Sequence, residues 1–189
     1  MFEVTLRKTA EFIFAVDSLG AEELISLTKQ GISTEVIPGI SSAVSGPLMA
    51  NIPITARDYS NVFTVVSAHL KDNSINLEWV PMLENKNHTV IVLMGLTRIP
   101  DIIRQAKKLD IDMDTLCAII SNASRKNQSV QVGTLDNINV LSLKAKRPAI
   151  IVFGKVVDFL QELEKIFDSL NKYERIYYVK IISYFNSSN

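Results

Sequence analysis

The sequence predicts an α/β protein, a sheet of short apolar strands flanked by helices. Apolar, β-branched runs alternate along the chain with stretches of helical periodicity, the order expected when helices cover a sheet. Residues 89–93, 116–120 and 149–153 run apolar without polar alternation, as strands covered on both faces do. Loops leaving the runs carry small residues: Pro38-Gly39, Met94-Gly95 and Asn122-Ala123-Ser124. Ligands of open α/β sheets bind along that carboxyl edge.

In order, Phe2, Val4 and Leu6 alternate as in a strand, and Phe12-Ile13-Phe14 forms a second apolar patch. Residues 21–29 contain Leu24, Ile25 and Leu27 among helix formers, and Gly31 stands where a helix takes a left-handed end residue. Residues 32–37 read as a strand that stops at Pro38, which lacks a backbone donor. After Gly39, Ser41 and Ser42 offer N-cap oxygens and free backbone N–H groups to a helix over 43–51, which Ile52-Pro53-Ile54 terminates. Residues 62–66 read as a buried strand, 71–76 as a polar loop, and Trp79, Met82 and Leu83 as a short helix. The strand at 89–93 ends at Met94-Gly95, and 99–109 carries Ile102, Ile103, Ala106 and Leu109 at helical spacing. Strands follow at 116–120, 129–133 and 149–153, with a short helix or turn over 135–140. Residues 158–170 form an amphipathic helix with Phe159, Leu163, Ile166, Phe167 and Leu170 on one stripe, and 173–185 suit a further strand.

Composition narrows the function. Among 189 residues, 20 Lys and Arg balance 20 Asp and Glu, so total charge draws the chain neither to nucleic acid nor to a membrane surface. Cys117 is the one cysteine, which excludes an internal disulfide; inside an apolar strand it reads as an inert core residue. No basic-then-apolar leader is seen and no apolar run approaches about 18 residues, so a cytoplasmic protein is expected. Asp110, Asp112 and Asp114 alternate without a nearby His and read as a solvated loop, not a metal site; His88 lies in a polar turn with no assigned role. By pattern alone, Met94 after its strand reads as core.

Five segments change that picture: Pro38-Gly39-Ile40-Ser41-Ser42-Ala43, Ile52-Pro53-Ile54-Thr55-Ala56-Arg57, Val92-Leu93-Met94-Gly95, Gln128-Ser129-Val130-Gln131-Val132-Gly133-Thr134-Leu135 and residues 148–157, Pro-Ala-Ile-Ile-Val-Phe-Gly-Lys-Val-Val. In this order they resemble the tetrapyrrole methylase family, and within it the uroporphyrinogen-III C-methyltransferase branch, over about residues 22–158. The resemblance implies a class III methyltransferase-like α/β fold with a mixed sheet flanked by helices. It also implies S-adenosylmethionine as cofactor, held between two domains, a tetrapyrrole substrate and a homodimer. Residues 1–37 are then a remnant of the N-terminal cofactor-binding domain, 38–171 the C-terminal domain, and 172–189 a tail of unassigned role. By position, the resemblance makes Ser41, Ser42, Met94, Ala123 and Ile13 the cofactor contacts, with Ala123-Ser124 where the family usually has Gly-Thr. It also offers His69 and Arg57 as partners for substrate carboxylates, against the simpler readings of polar surface and a surface salt bridge.

The departures are as informative. The family's Gly-x-Gly-Pro-Gly-Asp loop, with its proposed catalytic acid and lysine, has no counterpart in these residues, so no catalytic residue is assigned. Where the family has Gly-Gly-Asp-Pro, this chain has Lys8-Thr9-Ala10-Glu11. With one wall of the cleft degenerate, weak cofactor binding and little turnover by this chain alone are expected, since misplacement of reacting groups by about 1 Å costs on the order of a hundredfold. A precorrin or diphthine-type methylase, or a non-catalytic dimerisation module of the same fold, is the alternative.

Overall fold

The computed structural model describes residues 11–14, 19–70 and 74–170. A small N-terminal unit pairs β1 (Glu11–Phe14) in parallel with β2 (Glu35–Pro38) and joins them through α1 (Leu19–Lys29). Gly31 has φ +69° beyond α1, and Ile32 and Gly31 donate back to the carbonyls of Leu27 and Thr28, which closes the helix end. The strand is shorter than the run 32–37 suggested because those residues complete this cap. The alternating residues 2–6 and the run 173–185 lie outside the described residues.

The main sheet has five strands in the order β3-β4-β7-β5-β6. They are β3 (Val62–Ser67), β4 (His88–Leu93), β5 (Leu116–Ser121), β6 (Ser129–Thr134) and β7 (Ala149–Phe153). β3 runs parallel to β4, while β7 is antiparallel to both β4 and β5, and β6 antiparallel to β5, so the sheet is mixed. Helices α2 (Ser42–Met49), α3 (Ile99–Lys108), α4 (Ile138–Ser142) and α5 (Asp158–Ser169) flank it.

The unbroken apolar strands bury both faces by alternation. Ile151 and Phe153 of β7 and Cys117 and Ile119 of β5 meet Trp79, Ile99, Ile102 and Ile138 on one face. Ile150, Val152, Ala118 and Ile120 meet Ala50, Ile52, Val156 and Val157 on the other. Trp79 packs on Phe153 with ring centroids 5.8 Å apart and donates its indole N–H to the carbonyl of Asn76 at 2.9 Å, so its one polar atom is satisfied inside the core. Burying each such side chain contributes about 1.5–3 kcal/mol.

Two expectations are corrected. The run 62–66 is an edge strand, and Val62 and Phe63 are exposed because nothing pairs beyond β3 among the described residues. His88 closes the expected turn Asn85–His88, its N–H donating to the carbonyl of Asn85 at 3.0 Å, and also opens β4, where its Nε2 lies 2.8 Å from Thr64 Oγ1 across the parallel pair. The stripe on α5 is only partly covered: Ile166 is exposed, and no residue of the helix is fully buried.

Candidate functional site

The sheet topology brings one set of loops to one edge. The carboxyl ends of β3, β4 and β5 and the start of β7 coincide there, with Leu93 opposite Ile150 and Ser121 opposite Ala149. The start of α2 closes over this edge. The result is a hollow of about 410 Å³ whose lining includes Ser41, Ser42, Met94, Ala123, Ser124 and Pro148. Four of the five sequence-predicted contacts, Ser41, Ser42, Met94 and Ala123, therefore share one hollow although they are spread over 82 positions (41 to 123) of the chain. Ile13 sits in β1 with its backbone in register with Ile37.

Each wall has a local cause. Ser41 is the N-cap of α2: its backbone is extended and its Oγ accepts from the N–H of Ala43 at 3.2 Å. Its carbonyl accepts from the N–H groups of Val44 and Ser45, the first bonds of the helix. Ser42 is the first helical residue and not a second cap. α2 can lie this close because of Gly46. A Cβ there would fall 2.1 Å from Ile150 Cδ1 and 3.7 Å from the Cβ of Ala123.

The Met94-Gly95 wall is a strained turn. Met94 holds φ +56°, a left-handed conformation that costs a side-chain-bearing residue on the order of 1–2 kcal/mol. Its side chain is 51% exposed, which overturns the core reading from pattern alone. Gly95 meets a packing constraint, since a Cβ there would lie 2.8 Å from Val92 Cγ1. On the far wall, Asn122 and Ser124 are both left-handed at φ +52° and +65°, while Ala123 between them is not. Alanine in place of the family's usual glycine is therefore accommodated without backbone strain. The loop is held by the side chain of Gln128, whose Oε1 accepts from the N–H of Ser124 at 2.7 Å. Gln128 is a residue that sequence reasoning used only as part of a motif.

His69 borders an adjoining hollow with Met94, Thr97 and Arg147. Its Nδ1 lies 3.4 Å from Arg98 Nη2, a contact in which the guanidinium is the donor. Arg57 does not join the site. It is exposed on the loop entering β3, at the other end of a six-residue strand and so about 20 Å from the cleft edge. The aspartates lie at that same far end. Asp112 pairs with Lys86 at 2.8 Å, which holds its carboxyl below the usual range, and its other oxygen accepts from the N–H of Asp114. No group among the described residues could hold a metal ion, and no helix among them is long and apolar enough to cross a membrane.

The sequence profile of the Tetrapyrrole (Corrin/Porphyrin) Methylases matches residues 14–139. A siroheme synthase of Pseudoalteromonas atlantica is 36% identical over 162 residues, which cover 85% of this chain and 34% of that protein. The chain thus spans about a third of the length of the curated relatives it matches. Uroporphyrin III C-methyl transferase of Thermus thermophilus in its native form superposes with a TM-score of 0.65 at 26% identity, over 76% of this chain and 60% of that one. The uroporphyrin-III C-methyl transferase of the same organism complexed with S-adenyl homocysteine gives a TM-score of 0.65 at 25% identity, over 75% and 59%. With the profile covering most of its length and the mixed sheet in place, the chain belongs to the tetrapyrrole methylase family.

Proposed function

We propose that this chain supplies the C-terminal half of an S-adenosylmethionine-dependent C-methyltransferase that converts uroporphyrinogen III to precorrin-2. The observation that carries the reading is the convergence of Ser41, Ser42, Met94 and Ala123 on one hollow at the carboxyl edge of the sheet. That hollow suits the cofactor: hydroxyls on one side, a polarisable half-exposed Met side chain on another, and a small residue where the nucleoside must approach backbone. The cofactor supplies an electrophilic methyl group on its sulfonium. The chain's own part is to bind and orient it, with the turn at Met94 and the loop at Ala123 as facing walls.

Lys8-Thr9-Ala10-Glu11 stands in sequence where the family has Gly-Gly-Asp-Pro and contains no glycine and no aspartate. We therefore read the chain by itself as a weak binder with little turnover, and as competent when further polypeptide completes the cleft. Residues 1–37 belong in this reading to the first domain and 38–171 to the second. Met94 is exposed in the hollow, and Ile40 and the α2 residues Val44, Leu48 and Met49 are exposed as well, which favours a covering surface, such as a second copy in a homodimer.

The same Lys8–Glu11 substitution favours, as second reading, a non-catalytic module of this fold. Transfer of labelled methyl from S-adenosylmethionine to uroporphyrinogen III separates the two. Transfer by the chain supplemented with a family N-terminal domain supports the enzyme reading, and none under that condition supports the module.

A further inference from the structure

Gln128 joins the two walls of the cleft. Its Oε1 accepts from the backbone N–H of Ser124 at 2.7 Å, and its Nε2 donates to the carbonyl of Met49 at 2.9 Å. One amide thus spans from the loop after β5 to the last residue of α2, 79 positions away in sequence. The two groups it takes are ones the secondary structure leaves over. Met49 lies in the last turn of α2, where carbonyls lack helical partners, and Ser124 is left-handed and outside any ladder.

We infer that Gln128 is a positioning residue for the cofactor, a latch that sets the separation of the Ser41–Ser42 wall from the Ala123 wall. This rests on the reading of the hollow as the cofactor site. The loop needs such a latch. Asn122 and Ser124 hold strained conformations, and such conformations persist only where their surroundings over-determine them. Asn122 is fixed from the sheet side, its N–H donating to the carbonyl of Pro148 at 2.9 Å; Ser124 is fixed by Gln128. The turn that follows, Arg125 N–H to Asn122 O and Gln128 N–H to Arg125 O, places the Gln128 side chain under the loop it holds. On the helix side, the contact of Gly46 with Ile150 fixes the middle of α2 to the sheet, and the Gln128 bond fixes its end. Among the described residues, the side-chain bond given between α2 and residues 122–128 is that of Gln128.

The geometry separates the two bonds experimentally. Gln128→Ala removes both. Gln128→Glu keeps an acceptor for Ser124 and loses the donor to Met49. Titration of S-adenosylhomocysteine into the unsubstituted chain and both variants, with hydrogen exchange of the Ser124 amide alongside, gives the test. Expected is affinity lowered about tenfold in Gln128→Ala and by less in Gln128→Glu, with faster exchange at Ser124 in the alanine variant only. Cooperative thermal unfolding of each variant confirms that loss of the fold is not the cause, and Gln128→Glu carries the comparison should Gln128→Ala fail to fold. Unchanged affinity in both variants, where the unsubstituted chain binds, overturns the latch and leaves the cofactor site standing. No binding by the unsubstituted chain overturns the cofactor site and the latch together.

Discussion

Gly46 of α2 lies so close to Ile150 of β7 that a Cβ on the glycine would sit 2.1 Å from Ile150 Cδ1. This contact lets the serine-capped helix rest on the sheet edge. Gly→Ala in a helix interior gains about 1 kcal/mol from propensity. Overpacking a filled core costs about 1–3 kcal/mol. Ile150 is only 5% exposed and has little room to turn away. Gly46→Ala is therefore expected to destabilise by up to about 2 kcal/mol in denaturant unfolding. Ile150→Val deletes the offending Cδ1, so the double variant should be more stable than the sum of the two single losses predicts; strict additivity would show that the contact is not the cause.

Ser41 caps α2 through one hydrogen bond to Ala43 N–H. Ser41→Ala should cost about 1 kcal/mol, read as a fall in Tm of about 2–4 °C, while Ser41→Asp should unfold close to the parent temperature. An equal loss in both variants would mean that the hydroxyl serves something other than the cap.

Cys117 is buried in β5, and burial pushes its thiol from 9.0 up to about 12. The folded value lies above the unfolded one, so the stability this thiol contributes is present in full below pH 9.0 and is lost as pH rises from there towards 12. At pH 8 a thiol-reactive chromophore should label the native chain negligibly and the denatured chain completely. Rapid native labelling would place the strand at the surface.

Much of the fold was legible because its central strands are apolar on both faces. The strand expected over 149–153 appears with those same ends, and the one expected over 116–120 runs one residue further. The edge strand was misread for the same reason: Val62-Phe63-Thr64-Val65-Val66 has the β-branched signature of a strand, but that signature does not say whether a neighbour covers it.

The site was legible in its members and not in its construction. Ser41, Ser42, Met94 and Ala123 came from motif positions, and their meeting depends on the strand order, in which β7 enters between β4 and β5. That order is a property of long-range pairing and leaves no local trace, which is also why Arg57 read as a site candidate while sitting at the opposite end of β3. Gln128 was invisible as a functional residue because its partner Met49 lies 79 positions away.

The most direct measurement is calorimetric titration of the purified chain with S-adenosylhomocysteine, beside a Met94→Glu variant. Met94 is half exposed on the wall of the hollow, so the substitution spares the core and places a carboxylate in the cleft. Binding in the micromolar to sub-millimolar range, weakened by at least about tenfold in Met94→Glu, is the expected result. No heat at millimolar ligand from a chain that unfolds cooperatively would contradict it, and would leave this protein a member of the family in fold without a cofactor site of its own.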